Sequence, residues 1–213
     1  MVNLAKQFLQ INELYARIKE YIFEKLKESG VDNVDIQQFA AGIRIIIDVE
    51  KPRLALGPHG LKIKEVEEEL KLKFNIKNIE IFINEVKEPA LSASIMANRL
   101  ASLIEKGIHF RRAANLILKQ IMDAGAKGAE IEISGKLDSD RARTERFRFG
   151  FMPKSGEPYE KYVKKAKTSI LLKPGIYGIS VKIFPPLEYW DEIPKLVDKI
   201  KALEVSTNEN KGT

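Results

Sequence analysis

The sequence predicts an α+β protein built in two parts, and three observations carry that prediction. Apolar residues recur at three- and four-residue steps in some segments and at two-residue steps in others, so helices and strands are both present. Their order changes at Glu88-Pro89: helices and strands interleave before it, and two helices precede four strands after it. The length of 213 residues suits two units of about 100 residues each.

The first element is an amphipathic helix, with Leu4, Phe8, Ile11, Leu14, Ile18, Ile22 and Leu26 on one stripe and Gly30 as its stop. The period then becomes two. Val34, Ile36 and Gln38 alternate with polar residues, Ala40-Ala41-Gly42 reads as a turn, and Ile43, Ile45, Ile47 and Val49 form a mostly one-sided strand ended by Pro52. A short segment from Arg53 to Leu56 leads into Gly57-Pro58-His59-Gly60. A helix follows on the stripe Ile63, Val66, Leu70 and Phe74, then a strand with Ile79, Ile81 and Ile83 on one face.

Past the boundary, Pro89 suits the first turn of a helix running to about Lys106, and a second helix spans about Phe110 to Ala124. Both are Ala-rich and stop at Gly107 and Gly125. Strands are predicted over Ala129–Ser134, Thr144–Phe151, Thr168–Leu172 and Tyr177–Phe184, closed by Pro185-Pro186. In the second of these, alternation puts Phe147, Phe149 and Phe151 on a face packed against helices and Arg146 and Arg148 on the opposite, outward face. Residues 187–213 read as a tail: Ile193, Leu196, Val197, Ile200 and Leu203 have helical spacing within Asp191–Leu203, and the last ten residues read as disordered.

Composition excludes several classes of chemistry. With no Cys and two His, there can be no disulfide, thiol catalysis, iron–sulfur cluster, Cys-ligated zinc or three-His metal site. No apolar run approaches the ~20 residues of a membrane span, and the N-terminus lacks a signal-peptide pattern. The expectation is a cytoplasmic protein with no membrane contact, no metal and no cofactor. The net charge of +6 is unevenly placed. Residues 1–88 carry 14 basic and 15 acidic residues, whereas residues 136–173 carry 11 and 5. A basic patch of that density suggests a polyanion, with a merely solvated lysine-rich face as the plainer reading.

Gly57-Pro58-His59-Gly60 sits between two helices, in the order helix–strand–strand–helix–GxxG–helix–strand. That is the order of a type II KH domain, whose glycines let the backbone come close to a sugar-phosphate chain. Pro58 has no amide proton to donate and His59 is largely neutral at pH 7, so the clamp is weakened. Lys62 and Lys64 could partly substitute, whereas Glu65 to Glu69 repel phosphate. The loop can also be read as only a tight corner between helices.

Phe110-Arg111-Arg112 places two guanidiniums at a helix start, against the macrodipole, and an external anion would remove that objection. Pairing with carboxylates such as Glu105 is the plainer alternative, and His109 reads as packing at the interhelical corner. Asp138, Asp140 and Glu145 could suggest metal-dependent cleavage. The four Arg residues in the same segment compete for those carboxylates, so Arg141, Arg143, Arg146 and Arg148, with Lys136, read as phosphate contacts. No catalytic residue stands out, and no nucleotide-binding signature is present.

Taken together, these segments resemble the universal small-subunit ribosomal protein number three family, in its archaeal and eukaryotic branch. The resemblance covers about residues 1–186. Besides the G-x-x-G loop, it rests on Glu85-Val86 with Glu88-Pro89, Gly107-Ile108-His109-Phe110-Arg111-Arg112-Ala113-Ala114, Gly125-Ala126-Lys127-Gly128-Ala129-Glu130-Ile131, Ser134-Gly135-Lys136-Leu137, Arg141-Ala142-Arg143-Thr144-Glu145 and Leu172-Lys173-Pro174-Gly175. It implies a structural constituent of the small-subunit head that binds small-subunit ribosomal RNA and touches neighbouring head proteins. It also implies that Arg111 and Arg112 face messenger RNA where it enters. The family often has a basic residue one turn further on, where this chain has Asn115. On this reading residues 1–88 form the KH domain and residues 89–186 the RNA-binding domain of two helices on a four-stranded sheet. The alternatives are a free KH-type RNA chaperone and a nucleic-acid-cleaving repair enzyme.

Overall fold

The structure, a computed structural model, describes residues 4–39, 42–74 and 78–186; the side chains of Leu4, Ala5, Gln7, Phe8, Gln10 and His59 lie outside the described set. Helix α1 (Leu4–Lys25) buries Ile18 and Ile22 completely. One 3₁₀ turn (Lys27–Ser29) follows before Gly30 adopts the left-handed conformation at φ +70°. Strands β1 (Val31–Phe39), β2 (Gly42–Val49) and β3 (Ile79–Glu85) form a sheet in that order, with β1–β2 antiparallel and β2–β3 parallel. The crossover between β2 and β3 carries α2 (Pro52–Leu56), a 3₁₀ turn over Pro58–Gly60, and α3 (Leu61–Phe74). Val34, Ile45, Ile47 and Ile79 share one core with Ile18, Ile22, Val66 and Leu70. The period of two therefore sends Arg44, Ile46, Asp48, Glu80 and Phe82 to the other face.

The second sheet has the order β5-β4-β7-β6, antiparallel throughout. Its strands are β4 (Gly128–Gly135), β5 (Arg143–Gly150), β6 (Lys164–Leu172) and β7 (Gly175–Phe184). Helices α4 (Ala93–Glu105) and α5 (Phe110–Asp123) cover one face, where Met96, Leu100, Ala114 and Ile117 meet Ile131, Ile133, Val181 and Ile183. A short helix α6 (Glu157–Lys161) lies in the β5–β6 connection. That connection caps one end of the opposite face, with Met152 and Val163 buried against Phe184. Among the described residues no helix is long and apolar enough to cross a membrane.

Four sequence expectations need correction. Pro89 opens a separate 3₁₀ turn (Pro89–Leu91), and α4 begins at Ala93 because the Ser92 hydroxyl accepts from the Ile95 amide and caps it. Strand β6 begins four residues earlier than Thr168, since Lys164, Lys165 and Lys167 hid the alternation of Ala166, Thr168 and Ile170. Helix α6 was not anticipated. The three phenylalanines do not share one packed face. Phe147 joins the core, but Phe149 is 62% and Phe151 54% exposed. The physical reason is that β5 is an edge strand and Gly150, at φ +72°, turns the chain out of it. The predicted helix over Asp191–Leu203 and the turn at Ala40-Ala41 lie outside the described residues.

Three contacts tie the first sheet to α4. Ser92 donates to Asp32, Ser94 donates to the Val31 carbonyl at 2.9 Å, and Arg99 donates to both Glu50 oxygens at 2.8 and 3.3 Å. Burial alone would raise the Glu50 pKa, but the Arg99 hydrogen bond and charge outweigh it and the net shift is downward. A depressed folded pKa means the stabilisation is present above the ordinary carboxylate value of about 4.3 and is lost as pH falls through the lower folded value. Arg99→Ala is therefore expected to cost roughly 1–3 kcal/mol at pH 7. The gap from the parent should narrow as pH falls below the ordinary carboxylate range, and thermal melts across pH check it. An equal gap at pH 7 and pH 3 would show that the pair is not the cause.

Candidate nucleic-acid interface

The G-x-x-G loop joins α2 to α3 within hydrogen-bonded turns. Gly57 stands at φ +69°, ψ −178°, a region open in practice only to glycine, and a Cβ there would meet the Lys62 Cβ at 2.8 Å. Gly60, at φ +74°, has open space where a side chain would stand. The backbone can thus approach a ligand at Gly60, beside the exposed Pro58. Lys62 turns back towards Glu28 at 3.7 Å, which leaves Lys64 as the freer cation. Part of the acidity of α3 is internally neutralised, because Glu67 pairs with Lys71 at 2.7 Å and Glu69 with Lys25 at 2.9 Å.

The start of α5 is organised by His109. Its Nδ1 accepts from the Arg111 amide at 3.3 Å, and its ring stacks on Phe110 at 4.4 Å. Its Nε2 lies 3.6 Å from Asp138. The sequence placed His109 at this corner but missed the cap. Arg111 does not wait for an external anion. It grips Glu145 through Nε at 3.1 Å and Nη2 at 2.8 Å, and reaches Asp138 at 3.7 Å. Those hydrogen bonds hold the Glu145 carboxyl below its usual value and raise the Arg111 guanidinium. The plainer alternative, pairing with carboxylates, therefore holds for Arg111, although the partners are Glu145 and Asp138 rather than the example Glu105. Arg112 is exposed and has no ion-pair partner among the described residues. Lys136 and Arg141, in the β4–β5 connection, are likewise exposed, and Arg143 stands at the start of β5, where its charge helps lower Glu145. Asp138 and Glu145 meet on Arg111, and among the described residues no group of three His, Asp or Glu side chains could hold a metal ion.

The sheet face away from α4 and α5 is basic. Across the strands, Arg148, Glu130, Lys182 and Lys165 form one row, and Arg146, Glu132, Ser180 and Lys167 form the next. Glu130 is 4% exposed and accepts from Lys154 and, at 3.2 Å, from Lys182. Burial would raise its pKa, but the two ammonium groups lower it further than burial raises it. Glu132 accepts from Arg146 at 3.1 and 3.2 Å, and Arg148 donates to the Met152 carbonyl at 3.3 Å. Arg146 and Arg148 do point outward, as alternation required, but each is already held. Lys165 lies 3.6 Å over the Tyr159 ring. Beside it Ser134, Gly178 and Ser180 leave a shallow hollow of about 520 Å³, rimmed by Lys167 and Lys182. The sequence reading missed Lys165, Lys167 and Lys182. The signal was the lysine repeat on one face of β6.

Two family descriptions match the chain: a KH domain over residues 17–91 and the C-terminal domain of ribosomal protein S3 over residues 100–183. The chain is 41% identical over 209 residues to the small ribosomal subunit protein uS3 of Methanopyrus kandleri, covering 95% of this chain and 92% of that one. For uS3 of Saccharolobus solfataricus the identity is 39% over 193 residues, covering 91% and 84%. For uS3 of Archaeoglobus fulgidus it is 39% over 208 residues, covering 97% and 90%. Similarity of this order along nearly the whole of both chains settles the membership: the chain belongs to the family of small ribosomal subunit protein uS3.

Proposed function

We propose that this structural, non-enzymatic constituent of the small ribosomal subunit is anchored in the subunit head by its second half. There the cations of residues 136–148 and the open sheet face hold small-subunit ribosomal RNA. Residues 1–88 and 89–186 act as two units, with the G-x-x-G loop in the lesser role. The start of α5 faces messenger RNA as it enters, and the protein works on cytoplasmic ribosomes beside other head proteins. One observation carries the reading: exposed cations without ion-pair partners, Arg112, Lys136, Arg141 and Lys167 among them, are concentrated on the second half. Lys/Arg contacts to phosphate supply most of the affinity in such complexes.

The internal clamp on Arg111 changes how the two arginines divide the work. Arg111 sets the position of the β4–β5 connection through Glu145 and Asp138, and Arg112 is free to meet a passing phosphate chain. Arg contacts phosphate without reading bases, which suits a strand that moves. Subunits rebuilt with Arg112→Ala are expected to slow on messengers with stable downstream hairpins and to translate unstructured ones normally. Asn115 is exposed one turn along α5 from Arg111, so Asn115→Lys should enlarge the hairpin advantage. Equal translation of structured and unstructured messengers by Arg112→Ala would remove the messenger role.

A further inference from the structure

The uncovered face of the first sheet has the opposite character to that of the second. Across its strands, Gln37, Arg44 and Glu80 form one row, Asp35, Ile46 and Phe82 the next, and Asn33, Asp48 and Asn84 the third. The helices of this half pack on the other side. Phe39 and Phe82 are each 48% exposed. The Arg44 guanidinium lies between them, 4.7 Å from one ring and 5.0 Å from the other, and donates to Glu80 at 3.2 and 3.4 Å. Asp35 accepts only from Gln37, at 3.1 Å, and Asp48 only from Asn84, at 3.3 Å; neither has a cationic partner among the described residues.

We propose that this aromatic and acidic sheet face docks a cationic segment of a neighbouring protein, with an apolar side chain on Phe39, Ile46 and Phe82 and Lys or Arg side chains against Asp35 and Asp48. Two half-exposed phenylalanines on one sheet are an apolar patch, and the guanidinium between them holds both rings in place before any partner arrives. Rigid aromatic side chains and arginine are the side chains that dominate binding energy at protein interfaces. Exposed aromatics on a sheet can also stack nucleic-acid bases. Here the described face carries three carboxylates, Asp35, Asp48 and Glu80, against the single cation Arg44, so it repels a phosphate chain and attracts a basic partner. The inference rests on the proposed place in the subunit head for where the partner is met, and it assigns that partner to a surface apart from the proposed RNA contacts.

The test uses the full chain assembled into small subunits, with a photoreactive benzoylphenylalanine in place of Phe82 in one preparation and in place of Lys167 in another. Position 82 is expected to capture a Lys/Arg-rich protein segment and position 167 to capture RNA. Asp35→Lys with Asp48→Lys should cut protein capture at position 82 at least fivefold and leave RNA capture at position 167 unchanged. Capture of RNA, of an acidic segment or of nothing at position 82 overturns the docking inference, as does capture that survives the charge reversal. If position 167 takes no RNA while position 82 takes a basic segment, the RNA reading falls and the docking inference stands.

Discussion

Changing Lys136, Arg141 and Arg143 together to alanine will weaken binding to small-subunit ribosomal RNA by roughly ten- to a hundredfold near 0.1 M salt, and will flatten its salt dependence by about two to three units. All three side chains are exposed, and neither Lys136 nor Arg141 has an internal ion-pair partner. Each released phosphate contact therefore returns its counterions to the RNA with no compensating gain in the protein. Arg146→Ala with Arg148→Ala is expected to flatten the slope by less than about two units. Arg146 is already spent on Glu132 and Arg148 on the Met152 carbonyl. The fold should survive both sets of changes, because no substituted side chain is buried. Filter binding across a salt series, with circular dichroism as the control, separates the two sets. Equal slopes would show that exposure does not predict which cations meet RNA.

Gly128→Ala will unfold the second sheet at a lower temperature than the loss of any of these surface cations. A Cβ on Gly128 would stand 1.9 Å from the Phe151 carbonyl oxygen, and that oxygen is backbone, which cannot swing aside. The crowding arises because the chain past Gly150 folds over the start of β4, with the Phe151 amide bonded to the Lys127 carbonyl at 2.9 Å. Overpacking against backbone is expected to cost about 3 kcal/mol, which lowers the melting temperature by roughly 6–12 °C at this chain length. Gly125→Ala supplies the contrast. Gly125 has φ +87° but open space around a Cβ, so it should lose only about 1 kcal/mol of backbone strain. Calorimetry of both variants tests the ranking, and a Gly128→Ala protein that melts with Gly125→Ala would contradict the packing of this corner.

Period and punctuation make much of this fold legible in the sequence. The isoleucine runs of β2 and β3 and the alternation of β4 and β7 carry strong signals because one face is buried and the other is wet. Pro185-Pro186 marked the end of β7, and Gly107 and Gly125 the ends of α4 and α5. What stayed hidden depends on tertiary partners. Nothing local tells an edge strand from a central one, so Phe149 looked as buried as Phe147. Lysines on the open face of β6 masked its alternation. Most tellingly for the site, Arg111 and Glu145 are 34 residues apart in sequence, and only the packing of α5 against β5 brings them together. A charge argument at one helix terminus could not see that partner, and it therefore gave Arg111 and Arg112 the same role.

On the proposed arrangement the second half holds RNA, while the acidic first sheet faces elsewhere. Ultraviolet crosslinking of assembled small subunits, read by residue and by nucleotide, distinguishes this arrangement from its reverse. RNA adducts are expected on peptides covering residues 136–148 and 164–167 and at Arg112, with sparse adducts at the G-x-x-G loop and none on Phe39 or Phe82. Adducts concentrated on the first sheet, with residues 136–148 bare, would contradict it.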